Sequence, residues 1–356
     1  MGKYKCSIIT FHNVINYGAV LQAFALKKVL GSYCSASIYN HKNILMKRQY
    51  SINPFREKGL KKIILSALIF PSKAVQKFNF YRFSRKYLLD NKPTRNETFY
   101  ITGSDQVWNY DCSYGDKAYF LDFVDDDKLK NSYAASFGFD EVPLEYEDEY
   151  KTLLQGFNNI SVREKSGQGI VKKLLNRDAD IVLDPTFLLT KEEWRKSFCN
   201  KKINQKYILV YAFHISDNMR RFLDRLSNEK GLPIIVLMPM PDPRNIDRID
   251  NAIYRCSVSP ETWVNYFYNA EYIVTNSFHG AAFSINLNKK FFVELKNDNR
   301  NSRITDMLND FGLNDRYLDI SCDLDREIDY DVVNDILEKK REESIRFLEK
   351  TVYNYN

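Results

Sequence analysis

Short apolar runs alternate with stretches of helical periodicity along most of the chain. The first run, 5–10 (K-C-S-I-I-T), predicts a strand. A polar loop, F-H-N-V-I-N-Y-G, separates it from an amphipathic stretch at 19–30, which predicts a helix ended by Gly31. Residues 34–39 predict a second strand. Segments 61–70 and 74–89 carry helical spacing and predict two helices separated by Pro71. Strands are expected at 99–102, 132–137 and 159–163, and a strand with a turn at 180–189. The alternation then begins again. It predicts strands at 207–213, 233–237, 272–275 and 290–295, with a Pro-rich loop over 238–244. Helices are predicted at 217–230, at 260–269 after Ser259 as N-cap and Pro260 at the first position, at 281–287, from about 301, and at 330–353.

Strands alternating with helices indicate an α/β protein with parallel sheets. Two such series in succession predict two Rossmann-like domains facing across a cleft, with a C-terminal helix. The length of 356 residues accords with two domains of about 150 residues each. The boundary is placed near 190–205. Residues 1–195 then form the first domain, with a basic helical insertion at about 42–92, and residues 196–356 form the second together with the terminal helix.

Candidate chemistry collects at the predicted strand ends, where open α/β sheets bind ligands. The stretch 271–290 (E-Y-I-V-T-N-S-F-H-G-A-A-F-S-I-N-L-N-K-K) is strand, turn and helix with His279 at the turn. A helix start presents free N–H groups and positive potential to an anion. A histidine there can exchange protons near neutral pH. A plain capping turn around a buried histidine explains the same residues equally well. Asn276, Ser277 and Gly280 share this turn, and His214 ends the strand expected at 207–213. In the first half, Asn16 and Gly18 are either turn residues or a ligand-facing strand end. Ser104 and Asp105 end another strand. Arg163 follows 159–162, where a guanidinium can hold phosphate or carboxylate through two bonds. No G-x-G-x-x-G or G-x-x-x-x-G-K-[ST] loop is present. Asp125-Asp126-Asp127 is better explained as a surface turn than as a metal site. Six cysteines are scattered without C-x-x-C or histidine partners, which suits reduced thiols in the cytoplasm and gives no zinc signature. The first ten residues lack the apolar core of a secretory signal, and no apolar run reaches the length of a membrane span.

Charge is uneven. Residues 42–92 hold thirteen Lys and Arg against Glu57 and Asp90, a balance of +11; the whole chain is +6, so the remainder carries −5. Such a segment suits nucleic acid, a membrane surface or an anionic substrate.

The set N-Y-G-A-V-L-Q-A-F-A-L (16–26), G-S-D-Q-V-W-N (103–109), Y-A-A-S-F-G (133–138), S-V-R-E (161–164), V-L-D-P-T-F-L-L (182–189), S-F-H-G (277–280) and S-R-I-T-D (302–306) resembles the polysaccharide pyruvyl transferase family in kind and order. The resemblance implies a glycosyltransferase-B-like fold. It also implies transfer of pyruvate from phosphoenolpyruvate to a sugar of a bacterial surface or capsular glycan, forming a cyclic ketal. It carries the family's histidine to His279 and its arginine to Arg163. Some members have arginine two residues before that histidine; here Ser277 stands there, and Arg303 is the candidate substitute. Asp105 or His214 is the candidate base for the acceptor hydroxyl. Phosphoenolpyruvate is the expected donor substrate, with no other cofactor and no metal required in principle. The expected partners are a saccharide acceptor on a lipid carrier and the inner membrane face through 42–92, with no nucleic acid. The competing assignments are a glycosyltransferase using a nucleotide sugar and a non-catalytic glycan- or membrane-binding protein.

Overall fold

A computed structural model describes residues 4–53, 60–90, 97–239, 249–295 and 301–355. Strands β1 (Lys5–Ile9), β2 (Ser35–Ile38), β3 (Phe99–Thr102) and β4 (Lys130–Ser132) form a parallel sheet in the order β2-β1-β3-β4. Strands β5 (Ser161–Val162) and β6 (Asp180–Ile181) pair in parallel and extend it through single bridges Asn131–Asn159 and Ala135–Val162. The second half holds β7 (Ile208–Tyr211), β8 (Ile234–Leu237), β9 (Ile253–Arg255), β10 (Tyr272–Thr275) and β11 (Lys290–Val293), all parallel, in the order β11-β10-β7-β8-β9. Strand order reverses between β1 and β3 in one sheet and between β7 and β10 in the other. Helices leave opposite faces of the sheet at such a point and open a crevice at the strand ends.

The helices are α1 (Tyr17–Leu30), α2 (Ile44–Gln49), α3 (Leu60–Phe83), α4 (Tyr110–Ser113), α5 (Glu147–Gln155), α6 (Lys165–Leu175), α7 (Lys191–Phe198), α8 (Asp217–Lys230), α9 (Pro260–Asn269), α10 (Phe278–Asn286), α11 (Ser302–Asp310) and α12 (Tyr330–Tyr353). Ten consecutive residues of α1, Tyr17 to Leu26, are buried. A helix apolar all round packs on both sides, and α1 lies between its own sheet and the second half. Tyr17 stacks on Trp263 at 5.8 Å between centroids and donates to the Val258 carbonyl at 3.0 Å.

The segment expected as a boundary, 190–205, carries α7, begun by a Thr190–Glu193 capping box. Trp194 of α7 meets Phe24 at 5.8 Å and Phe283 at 4.9 Å, so it ties both halves. Helix α12 crosses back to the first half. The Ser344 hydroxyl accepts from Leu183 N–H at 2.9 Å, and beyond the helix Tyr355 stacks on Phe99 at 4.9 Å.

Several expectations are corrected. The two helices expected at 61–70 and 74–89 are one helix, α3, with Pro71 inside it, followed by a π turn over Ser84–Leu88. Pro71 and Ala67 both face solvent, so water can take the carbonyl that proline leaves without an N–H. The inner face anchors the axis: Gln76 donates to Pro239 O at 2.9 Å and Asn79 to Ser257 O at 2.7 Å. The strand expected at 132–137 runs instead over β4 and stops at Ser132. Ala134 lies at φ 52°, and Ser161 Oγ takes its N–H at 3.2 Å, replacing a ladder bond. The strand at 159–163 shortens to β5, and that at 180–189 to β6 with a 3-10 turn at Pro185–Phe187. The helix expected from 281 begins at Phe278, because Ser277 is the N-cap. Most of the Pro-rich loop, 240–244, lies outside the described residues.

Candidate functional site

The two strand-order reversals face each other through α1 and α10. A Cβ on Gly18 would lie 2.1 Å from His279 Nδ1 and 2.3 Å from its Cγ, so the first turn of α1 rests on the imidazole. Only hydrogen permits that approach. Gly280 has a related duty within the second half, where a Cβ would lie 2.2 Å from Thr275 Oγ1. His279 sits in the first turn of α10, buried, and not in the connection before it.

Across from it, the Arg163 side chain is only 1% exposed. Its Nη1 donates to Asp184 Oδ2 at 2.9 Å, and its guanidinium lies 4.4 Å from the Phe278 ring centroid. Asp184 is the hub. Its Oδ1 accepts from the Thr186 N–H at 3.0 Å and hydroxyl at 2.7 Å, while Oδ2 also accepts from Ser104 Oγ at 2.8 Å. His279 Nε2 stands 3.7 Å from that Oδ2, an ion-pair distance longer than a hydrogen bond. Burial alone would raise the Asp184 pKa, but His279, Arg163 and Thr186 outweigh it and hold the carboxyl well below the usual range. Burial likewise opposes the Arg163 charge, and Asp184, Glu164 and Asp105 more than restore it. For Arg303 the balance runs the other way: burial, and next the charge of Arg163, lower its pKa, and Glu164 and Asp105 only partly oppose them.

Arg303, Arg163 and Phe278 line one open cleft between the end of β6, α11 and α12. Among the described residues, four buried nitrogens of the site have no hydrogen-bond partner: Arg163 Nε and Nη2, Arg303 Nε and, beside the cleft, His279 Nε2; Arg163 Nε stands 3.5 Å from Glu164 Oε2. Buried donors are almost always paired, so this cluster is suited to an anion placed against it. Among the described residues, no group of three or more His, Cys, Asp and Glu is arranged to hold a metal ion.

The other expected residues divide. Asp105 joins the group, with Oδ1 3.9 Å from Arg163 Nη2, on a backbone held at φ 81°. For a non-glycine residue that conformation costs about 1–3 kcal/mol and marks sites where geometry is imposed. Ser277 caps α10 by accepting the Gly280 N–H at 3.4 Å, so that N–H is directed at Ser277. Asn276 bridges backbone, accepting from Phe213 N–H at 2.9 Å and donating to His214 O at 2.8 Å. Asn16 accepts from Ala19 N–H at 3.3 Å as the α1 N-cap. The exposed side chain of His214 borders a separate hollow beside Met238 and Tyr254. Sequence reasoning assigned no role to Asp184 or Phe278; Ser104, expected only as a strand-end residue, bonds Asp184. The D-P-T turn was the available signal for Asp184, because an aspartate ahead of proline at a strand end caps the turn that follows.

Changing Gly18 to alanine tests the α1–His279 contact. In a helix that change is ordinarily favourable by up to about 1 kcal/mol, so a loss must come from the imidazole being displaced. Turnover is expected to fall at least about 100-fold, the scale of misplaced acid–base catalysis. Retained far-UV circular dichroism with retained turnover would show that the contact has no part in activity.

Two doubly wound parallel halves, with charged groups collected where their strand orders reverse and a C-terminal helix crossing back, define a glycosyltransferase-B-type fold. Residues 16–294 match the polysaccharide pyruvyl transferase family, and the chain belongs to it. Among solved structures, the chain resembles S. aureus MnaA in complex with UDP at 12% identity and a TM-score of 0.49, covering 99% of this chain and 92% of that one. It resembles a UDP-glucosyltransferase from Polygonum tinctorium at 8% identity and a TM-score of 0.48, covering 99% of each chain. A UDP-GlcNAc 2-epimerase from Methanocaldococcus jannaschii matches at 12% identity and a TM-score of 0.48, over 94% of this chain and 92% of that one. Comparison with curated proteins finds no match.

Proposed function

We propose that the protein transfers pyruvate from phosphoenolpyruvate to a saccharide of a bacterial surface or capsular glycan precursor, closing a cyclic ketal across two hydroxyls. The observation that carries this is the cluster of unpaired buried nitrogens on Arg163, Arg303 and His279. Phosphoenolpyruvate presents a phosphate and a carboxylate on three carbons and needs cationic donors at two places. Arg163 Nε and Nη2 supply one set and Arg303 Nε the other, and Phe278 gives the small carbon frame an apolar wall.

His279 delivers a proton to the methylene carbon, and C2 becomes oxocarbenium-like. The first acceptor hydroxyl adds to C2 and gives its proton to His279 or Asp105. Phosphate leaves, the second hydroxyl closes the ring, and its proton departs with phosphate or water. Asp184 Oδ2 faces the imidazole at 3.7 Å. The acceptor is a lipid-linked glycan precursor, and the reaction belongs to the cytoplasmic side.

Thermal-shift titration tests the donor. Phosphoenolpyruvate at 100 times its dissociation constant is expected to stabilise the chain by about 2.7 kcal/mol, and nucleotide sugars are expected to leave the melting temperature unchanged. The reverse pattern would replace this reading with a nucleotide-sugar transferase. A mass gain of about 70 daltons on an acceptor, the stoichiometry of adding pyruvate with loss of water, identifies the product.

A further inference from the structure

Helix α3 turns an apolar stripe to solvent. Ile64, Leu68, Pro71, Val75 and Phe78 recur at spacings of four and three residues and all face outward over about four turns. Leu68 is 72% exposed and Phe78 61%. Tyr81 is exposed beside them, and the stripe runs on into exposed Arg82, Arg85 and Lys86, with Lys77 at its flank. No Asp or Glu occurs between Glu57 and Asp90, and Asp90 itself pairs with Lys27 at 2.8 Å. The opposite face is fully engaged: Phe80 packs on Tyr17 at 4.9 Å, and Gln76 and Asn79 bond to the second half. Among the described residues, α3 is held to the rest of the fold through this inner face. Among the described residues no helix is long and apolar enough to cross a membrane.

We infer that α3 docks the protein on an anionic lipid bilayer, lying in the interface with Leu68, Val75 and Phe78 inserted. Charge decides between the two occupants such a stripe could have. A second copy would bring Lys77, Arg82, Arg85 and Lys86 to a helix holding no carboxylate. It would also have only two heptads of seam, one position being proline, where a coiled coil uses three or four. An anionic surface satisfies the cations and accepts the apolar side chains together. The placement also suits a lipid-borne acceptor, because Phe80 on the inner face touches Tyr17, the neighbour of the Gly18 that rests on His279. The docking surface uses no donor-site residue, so it stands or falls apart from the pyruvyl-transfer reading.

The experiment is co-sedimentation of the full chain with vesicles of phosphatidylglycerol and phosphatidylcholine in equal parts, against phosphatidylcholine alone. The chain is expected to pellet with the anionic vesicles and not with the neutral ones. The pair Leu68→Glu and Phe78→Glu is expected to weaken partitioning by about 100-fold or more. The triple change Arg82→Gln, Arg85→Gln and Lys86→Gln is expected to weaken it by about five-fold per charge. These side chains face water, so thermal melting checks that both variants still fold. Three outcomes would overturn the inference: no binding to anionic vesicles, undiminished binding by folded variants, or a solution dimer that Leu68→Glu dissociates.

Discussion

Replacing His279 with alanine is expected to lower phosphate release from phosphoenolpyruvate, with acceptor present, by about 10²–10⁴-fold. Under the proposed reaction, His279 gives the proton to the methylene carbon, the role an imidazole is suited to near neutral pH. It is held from two sides: Gly18 meets its Nδ1 edge, and Asp184 Oδ2 stands 3.7 Å from Nε2. Proton delivery to a carbon is slow without a positioned acid, so little activity is expected from water alone. Retention of the donor's thermal-shift stabilisation separates lost chemistry from lost binding, since Arg163 and Arg303 remain. Turnover near the parent value in the folded variant would remove His279 from the chemistry.

Asparagine at position 184 is expected to destabilise the fold by about 3–5 kcal/mol at neutral pH, because it leaves the Arg163 charge buried without its closest partner. The amide keeps an acceptor for Thr186 but turns a donor toward either Ser104 or Arg163. The effect depends on pH with a definite sign. The Asp184 pKa in the fold lies below its ordinary value of 3.8, so its contribution is complete above that value and declines as pH falls beneath it. Urea denaturation is expected to show a wide gap between parent and variant at neutral pH, narrowing below about pH 4. A gap constant across that range would mean that Asp184 does not hold Arg163 through its charge.

Element type was legible wherever periodicity was long or caps were explicit. The helix at 217–230, the Ser259–Pro260 start, the strand at 272–275 and the helix at 330–353 lie where the pattern places them. The failures share a cause. Pro71 read as a break because local sequence does not show that the helix around it is clamped on its inner face by bonds to the other half. The run 132–137 read as a strand because its apolar residues gave no sign that Ser161, 27 positions beyond Ala134, would take the Ala134 N–H.

The candidate site divides in the same way. The chain alone determined an α/β protein with two parallel halves, a basic segment free of carboxylates over most of its length, and strand-end residues able to meet an anion. Those properties follow from periodicity, capping and charge, which act over a few residues. Tertiary structure alone decided which strand ends face each other. It placed Arg163 on Phe278, made Asp184 the hub between Arg163 and His279, and turned Asn276 to bracing the backbone at Phe213 and His214. It also decided that Ile64, Leu68, Val75 and Phe78 of α3 point to water. Partners 20 to more than 200 residues apart are chosen by packing two sheets and a returning helix against one another, and no local pattern carries that information.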